Sequence, residues 1–325
     1  MKLRSAVALV CVLLLGACTS SKTDEVEAAA AAAASAPAEG VDLVDIPVRE
    51  PPRVQVEVPG AEPLRPLRLH PAAGTRESME MSVGMTMSMR NGAQDLPSIP
   101  VPTTKTRLSA VLEEVTAEEF TVRHAVDAVE VVPVPGTPPQ VLEQVRQSVE
   151  PLARYRAVVR MDPRGAVRGG QVELPRDVPA LVHQTMQQMT QNLGQLAVPL
   201  PAEPVGVGAS WTATHELEQN GMKLRQTGRY TLRALEGEHV TLDATIEQEL
   251  LDPNVEAPGM MGATARVSDF SSSGRGTLEL DLDRLMPTTV SLGIDLHMVM
   301  DVTVLGQNQH MEMDMGMQMD MRRQD

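Results

Sequence analysis

The sequence predicts a mainly β protein with two helices: a strongly curved antiparallel sheet of ten or more strands, half-barrel or barrel-like, with the helices on its concave face. Three observations carry this. Apolar residues recur with period two from Leu64 almost to the C terminus, the signature of half-buried strands. Turn signals such as Asn220-Gly221 punctuate the alternation, as hairpins require. Only two segments show helical spacing.

The N terminus reads differently. Lys2 and Arg4 precede the apolar run Ala6 to Leu15. This run is too short for a hydrocarbon core of ~30 Å and has the layout of a signal peptide over residues 1–17. No later stretch approaches the ~18 unbroken apolar residues of a spanning helix. From Cys18 to residue 63 an alanine run (Ala28 to Ala34) and Pro37, Pro47, Pro51, Pro52, Pro59 and Pro63 predict a tether, in part extended polyproline. The rest, 64–325, is expected to be one β-rich domain.

Within that domain Met79, Met81, Val83, Met85, Met87 and Met89 share one strand face, with Glu80, Ser82, Thr86 and Ser88 on the other. Leu108 to Leu112 and Phe120 to Val126 flank a Thr116 to Glu119 turn, giving a hairpin. Thr137 as cap and a first-turn proline start a helix with the stripe Val141, Val145, Val149 and Leu152. Tyr155 to Met161 returns to alternation before the turn Asp162-Pro163-Arg164-Gly165. Asp177 caps a second helix with Val182, Met186, Met189, Leu193 and Leu196 in line. Strands follow at Trp211 to Leu217, Tyr230 to Leu232 and Val240 to Ile246, and residues 251–275 are expected to form a loop. A long strand carries Val290 to Val304. Met311, Met313, Met315, Met317, Met319 and Met321 then alternate with Glu312, Asp314, Gln318 and Asp320. The segments Arg107 to His124 and Arg229 to Ala244 share a strand, an acidic turn and a second strand.

Leu14-Leu15-Gly16-Ala17-Cys18 resembles the lipobox of bacterial lipoproteins. That likeness implies cleavage before Cys18, diacylglycerol on its sulfur and further acyl chains. Thr19 follows, which favours an outer membrane location facing the periplasm over the inner membrane. Val205-Gly206-Val207-Gly208-Ala209-Ser210-Trp211, followed by the Tyr230 strand, resembles a group of uncharacterised bacterial lipoproteins with a Val-Gly-x-Gly-x-x-Trp step. The layout of long strands plus two helices is also similar to half-barrel periplasmic carriers of lipids and lipoproteins.

Composition narrows the chemistry. Cys11 goes with the leader and Cys18 is spent on the anchor, so the mature fold is expected to hold no disulfide and no reactive thiol. Lys and Arg number 28 against 43 Asp and Glu, a net charge of -15, which repels nucleic acid. The histidines are scattered. Gly206 and Gly208 lack the Lys-Ser/Thr of a phosphate loop, and Ser210 lacks the second glycine of a nucleophile elbow. Neither an enzyme nor a cofactor is expected, and the chain is expected to be monomeric.

The informative residues are the methionines, of which there are 21. Three readings stand. The ladders pack as core. They line a greasy cavity for a lipid-like molecule, since methionine is adaptable, through Met79, Met81, Met85, Met87, Met89, Met298, Met300, Met311, Met313, Met315, Met317 and Met319. Or thioethers Met311 and Met313, helped by His310 and His297, hold Cu(I) or Ag(I). A scaffold docking other envelope proteins is a further alternative. Because the ladders lie at the two ends of the domain, they are expected to face the same interior and to pair.

Overall fold

The computed structural model describes residues 40–324 apart from 47, 49, 97–99, 177–197, 220, 257–263 and 305–306. The leader, Cys18 and the predicted second helix lie outside the described residues. The strands are β1 (Val41–Ile46), β2 (Arg53–Val58), β3 (Arg76–Asn91), β4 (Gln94–Asp95), β5 (Thr103–Val115), β6 (Phe120–Val132), β7 (Arg156–Met161) and β8 (Val167–Pro175). The second half adds β9 (Ser210–Gln219), β10 (Met222–Glu236), β11 (His239–Leu250), β12 (Asn254–Glu256), β13 (Thr264–Asp281), β14 (Thr289–Val304) and β15 (Gln307–Gln324). Helix α1 (Pro139–Val149) runs into a 3-10 turn at Glu150–Arg154.

All 15 strands among the described residues form one antiparallel sheet in the order β1-β8-β7-β6-β5-β3-β15-β14-β13-β11-β10-β9-β2, with β4 beside β3 and β12 beside β13. The sheet is not closed: β1 and β2 are its two ends. Apolar side chains of alternating residues bury one face, as period two demands. Trp211, Leu67, Leu200, Leu232, Leu242 and Leu282 centre one core cluster. Val126, Tyr155, Ala157, Val172 and Leu174 centre another, and Met79, Ala110, Leu112, Phe120, Val122 and Met286 a third.

The predicted turns are where the alternation stops. Gln219 pairs with Met222 across the Asn220-Gly221 hairpin. At the β7–β8 turn Asp162 is buried, and its Oδ1 accepts the backbone N–H of Arg164 (2.9 Å) and Ala166 (3.0 Å). This is the side-chain turn mimicry that favours aspartate there.

Three expectations need correction. The stretch 18–63 is not wholly a tether: β1 pairs with β8 and β2 with β9. An edge strand needs one partner and one apolar face, so the short alternations Val44/Ile46 and Val54/Val56 suffice among the prolines. Residues 264–275 are not loop but the first part of β13, paired with β14 on both sides of a bulge at Ser268; its Ser272, Gly274 and Gly276 mask the alternation. Finally, Thr137 does not cap α1. Pro138 is the cap residue, with no side-chain cap bond, and the Thr137 hydroxyl donates instead to Val134 O at 2.8 Å.

Residues 59–71 form a strap across one end of the sheet. Leu69 N–H donates to Pro163 O in the β7–β8 turn (2.7 Å), and His70 N–H to Leu282 O at the start of the β13–β14 turn (2.7 Å). Arg65 bonds to Glu238 (3.2 Å) and to Gly237 O, and His70 Nε2 meets Glu238 at 3.0 Å, all in the β10–β11 turn. No helix among the described residues is long and apolar enough to cross a membrane.

Candidate functional site

The last strand inserts between β14 and β3, and its register brings the two methionine ladders together. Met313 stands opposite Met89, Met315 opposite Met87, Met317 opposite Met85, Met319 opposite Val83 and Met321 opposite Met81. On its other side β15 sets Met311 against Met300, Met313 against Met298 and Met315 against Leu296. Residues directly opposite in an antiparallel pair share a face, with Cβ atoms about 5 Å apart. Met79 completes the row on β3, opposite Arg323 and Leu108. All twelve methionines predicted to line an apolar site therefore lie on one face. Met79 and Met298 are buried and the others half-buried.

The same face carries a polar row that the sequence reading missed. In register across β9, β10, β11 and β13 stand His215, Gln226, Gln248 and Ser272. Ser272 Oγ donates to Gln248 Oε1 at 2.8 Å, and Gln248 Nε2 donates to Gln226 Oε1 at 2.9 Å. Reading residues 251–275 as a loop hid Ser272. On β6, His124 lies opposite Ala110 and Ala157, and burial pushes its pKa down to about 4. Tyr230, stacked on Trp211 with ring centroids 5.8 Å apart, is pushed up to about 12 by burial.

The mixed copper site is not assembled. Consecutive residues of a strand point to opposite faces, so His310 and Met311 part company. His310 sits opposite Asp301, and Met311 opposite Met300. His297 likewise faces Asp314 while Met298 faces Met313. Met311 and Met313 lie on the methionine face, and His310 and His297 on the other.

That other face is polar. His297 Nδ1 lies 2.7 Å from Asp314 Oδ1, and its Nε2 3.9 Å from Asp269 Oδ2. The Asp314 hydrogen bond raises the His297 pKa. Glu312, in the same register row as Arg90, accepts from Arg90 Nη1 at 2.9 Å, while Arg90 Nε reaches Asp95 at 2.8 Å. Small residues Thr86, Ser88, Ser271, Ser273 and Gly316 leave a cleft of about 440 Å³ beside His297, Asp314 and Asp295. A second cleft of about 500 Å³ lies by the strap, between Arg68 to Pro71 and the β5–β6 and β7–β8 turns.

The glycine-rich step before Trp211 has a structural cause. A Cβ on Gly206 would fall 1.8 Å from Ala61 O in the strap, and Gly208 has φ +84°. The step delivers Trp211, fully buried, with Nε1 donating to Pro199 O at 2.9 Å. A family model described as "Family of unknown function (DUF6263)" matches residues 184–284. The chain is similar to that family over this span, just under a third of its length, which holds Trp211 and β9 to β11. A search of curated proteins found no match.

Proposed function

We propose that this chain is a non-catalytic, lipid-anchored cell-envelope protein that holds an apolar, lipid-like molecule against the methionine face of a strongly curved, half-barrel sheet. The observation that carries the reading is the register of β15, which pools methionines from three neighbouring strands into one continuous, half-buried patch. Methionine side chains adapt to irregular apolar shapes, and such a patch suits acyl chains better than a rigid ligand.

Two observations support the curvature. The turns touched by Leu69 and His70 lie six strand spacings apart in the sheet order, about 29 Å in a flat sheet. Two consecutive residues span only about 9 Å between those carbonyls. The sheet ends β1 and β2 are likewise joined by the seven steps from Ile46 to Arg53, at most about 25 Å of chain, against about 58 Å for twelve flat spacings. A sheet bent this far has a concave apolar side, and we place the methionine face there, with helices against it.

In this reading diacylglycerol on Cys18 anchors the protein to the outer membrane on its periplasmic side. The stretch up to Val41 separates anchor from domain, and the chain works as a monomer without nucleic acid. Native mass spectrometry of the full-length chain extracted from membranes tests the carrier role. A non-covalent species of lipid mass is expected, and it is lost in Met87→Lys/Met315→Lys. A wild-type chain that neither carries such a species nor takes up a fluorescent fatty acid would sink the idea. Cys18→Ala is expected to release the chain from the membrane fraction.

A second reading keeps one observation in its favour. Met298, Met313 and Met89 form a row across three strands, a thioether set that suits Cu(I) or Ag(I) without histidine. Titration with Cu(I) under reducing conditions, with no stoichiometric binding, would remove it.

A further inference from the structure

The polar face of the same blade holds a set of donors of a different kind. His297, Glu312 and Asp314 each offer one ligand atom, and these three atoms lie within 4.8 Å of one another. They come from neighbouring strands: His297 on β14 is directly opposite Asp314 on β15, and Glu312 is two residues along β15 on the same face. Both strands are long and paired on either side, so the donors sit on fixed backbone rather than on loops.

We propose that His297, Glu312 and Asp314 form a binding site for a divalent transition-metal ion of the zinc type. In a four-coordinate site with bonds of about 2.1 Å, ligand atoms stand about 3.4 Å apart. The three donor atoms, all within 4.8 Å of one another, stand within about 1.4 Å of that spacing. Imidazole with two carboxylates suits Zn²⁺, Co²⁺ or Ni²⁺, whereas soft Cu(I) prefers sulfur.

The surroundings fit a metal ligand more than a lone ion pair. His297 Nδ1 is hydrogen-bonded to Asp314 at 2.7 Å, and a second carboxylate, Asp269 on β13, lies 3.9 Å from Nε2, outside hydrogen-bond distance but on the ring's other side. A ligating histidine characteristically donates its second ring N–H to such a carboxylate, which orients the ring. With Nδ1 on the metal, Asp269 is the carboxylate near enough to take that place on a shift of about 1 Å. Arg90 holds Glu312 from the opposite side. The cleft of about 440 Å³ opens beside His297 and Asp314, leaving room for water or a small ligand on the fourth position, as open zinc sites have. Asp295 on its wall adds negative charge. The site is on the face opposite the methionines, so it stands independently of the lipid reading.

The test is titration of the full-length chain with Zn²⁺ by calorimetry and with Co²⁺ by visible absorption, whose bands report coordination geometry. One saturable equivalent is expected. His297→Ala and Glu312→Gln should each weaken binding at least tenfold. His310→Ala, which removes a neighbouring His–Asp pair (2.9 Å to Asp301) with no third donor among the described residues, should leave it unchanged. These side chains are partly exposed, and an unaltered unfolding transition confirms that each variant folds; should His297→Ala fail that check, Glu312→Gln decides. No saturable Zn²⁺ or Co²⁺ binding by the wild type, or wild-type affinity in both site variants, or an equal loss in His310→Ala, would overturn the assignment.

Discussion

The sheet contains the same five-strand meander twice, and the two copies are built from different materials. In the first, β3, β5, β6, β7 and β8 are successive neighbours; in the second, β9, β10, β11, β13 and β14 are. Each makes its long excursion between third and fourth strands: α1 with its 3-10 turn in one, residues 251–263 with β12 in the other. Each presents its last turn to the strap, at Pro163 and Leu282. Yet the first meander packs through two clusters of mixed size, in which Ala110, Ala157 and Val172 sit beside Leu112, Phe120 and Leu174. The second packs on Trp211, Leu232 and Leu242, with Leu67 and Leu200 brought in from outside. Topology thus follows from alternation and turns, which both halves share, while cohesion depends on what fills the face. The second meander is expected to be the firmer one.

Trp211→Ala tests that most severely. The indole has no exposed surface, stacks on Tyr230 and satisfies Pro199 O. Its removal should cost about 3–5 kcal/mol in a denaturant titration. Val122→Ala, equally buried in the first meander, should cost about 1.5 kcal/mol for the methyl groups removed. Equal losses would break the comparison.

A smaller effect sharpens it, because the second meander is also held by its entry. In Gly206→Ala the new Cβ meets backbone oxygen at 1.8 Å, which neither partner can yield without moving the strap. A loss of about 3 kcal/mol is expected. Gly208→Ala has open space but a left-handed φ of +84°, so about 1 kcal/mol is expected. The reverse ranking would mean that turn conformation, and not the strap contact, sets the step into Trp211.

Much of this was legible in the chain. The hairpins at 116–119, 162–165 and 220–221 stop an alternation that no helix can support. The methionine ladders pair as their period and end positions suggest. The segments Arg107 to His124 and Arg229 to Ala244 do occupy matching places, as second and third strands of the two meanders. What failed did so for physical reasons. Edge strands β1 and β2 bury too few residues to announce themselves among prolines. The Ser-Gly stretch of β13 hides its period, because a strand facing half-buried polar partners such as Gln248 needs no apolar side chain there. The grouping of His297 with Glu312 and Asp314 depends on register, which no single strand encodes. The separation of His310 from Met311 needed only the rule that neighbours on a strand face opposite ways.

The mildest perturbation, pH, should tell the two halves apart by where each loses stability. In the first meander burial holds the His124 pKa at about 4, below the ordinary value near 6.5. Between those values the unfolded chain binds a proton that the folded chain refuses. Stability is therefore full above pH 6.5 and falls as pH drops towards 4, at no more than about 1.4 kcal/mol per unit. In the second meander Asp281 behaves oppositely in origin. Burial alone would raise its pKa, but hydrogen bonds from His239, Arg323 and Thr288 outweigh that and bring it to about 2. Its contribution persists above about pH 4 and fades only as pH falls towards 2. Unfolding free energies measured from pH 7 to pH 4.5 should decline in the wild type and flatten in His124→Gln, whereas Asp281→Asn should lower the whole curve without changing that slope. A wild-type curve flat across this range would show that His124 titrates normally, and that the first meander has no acid-sensitive weakness of its own.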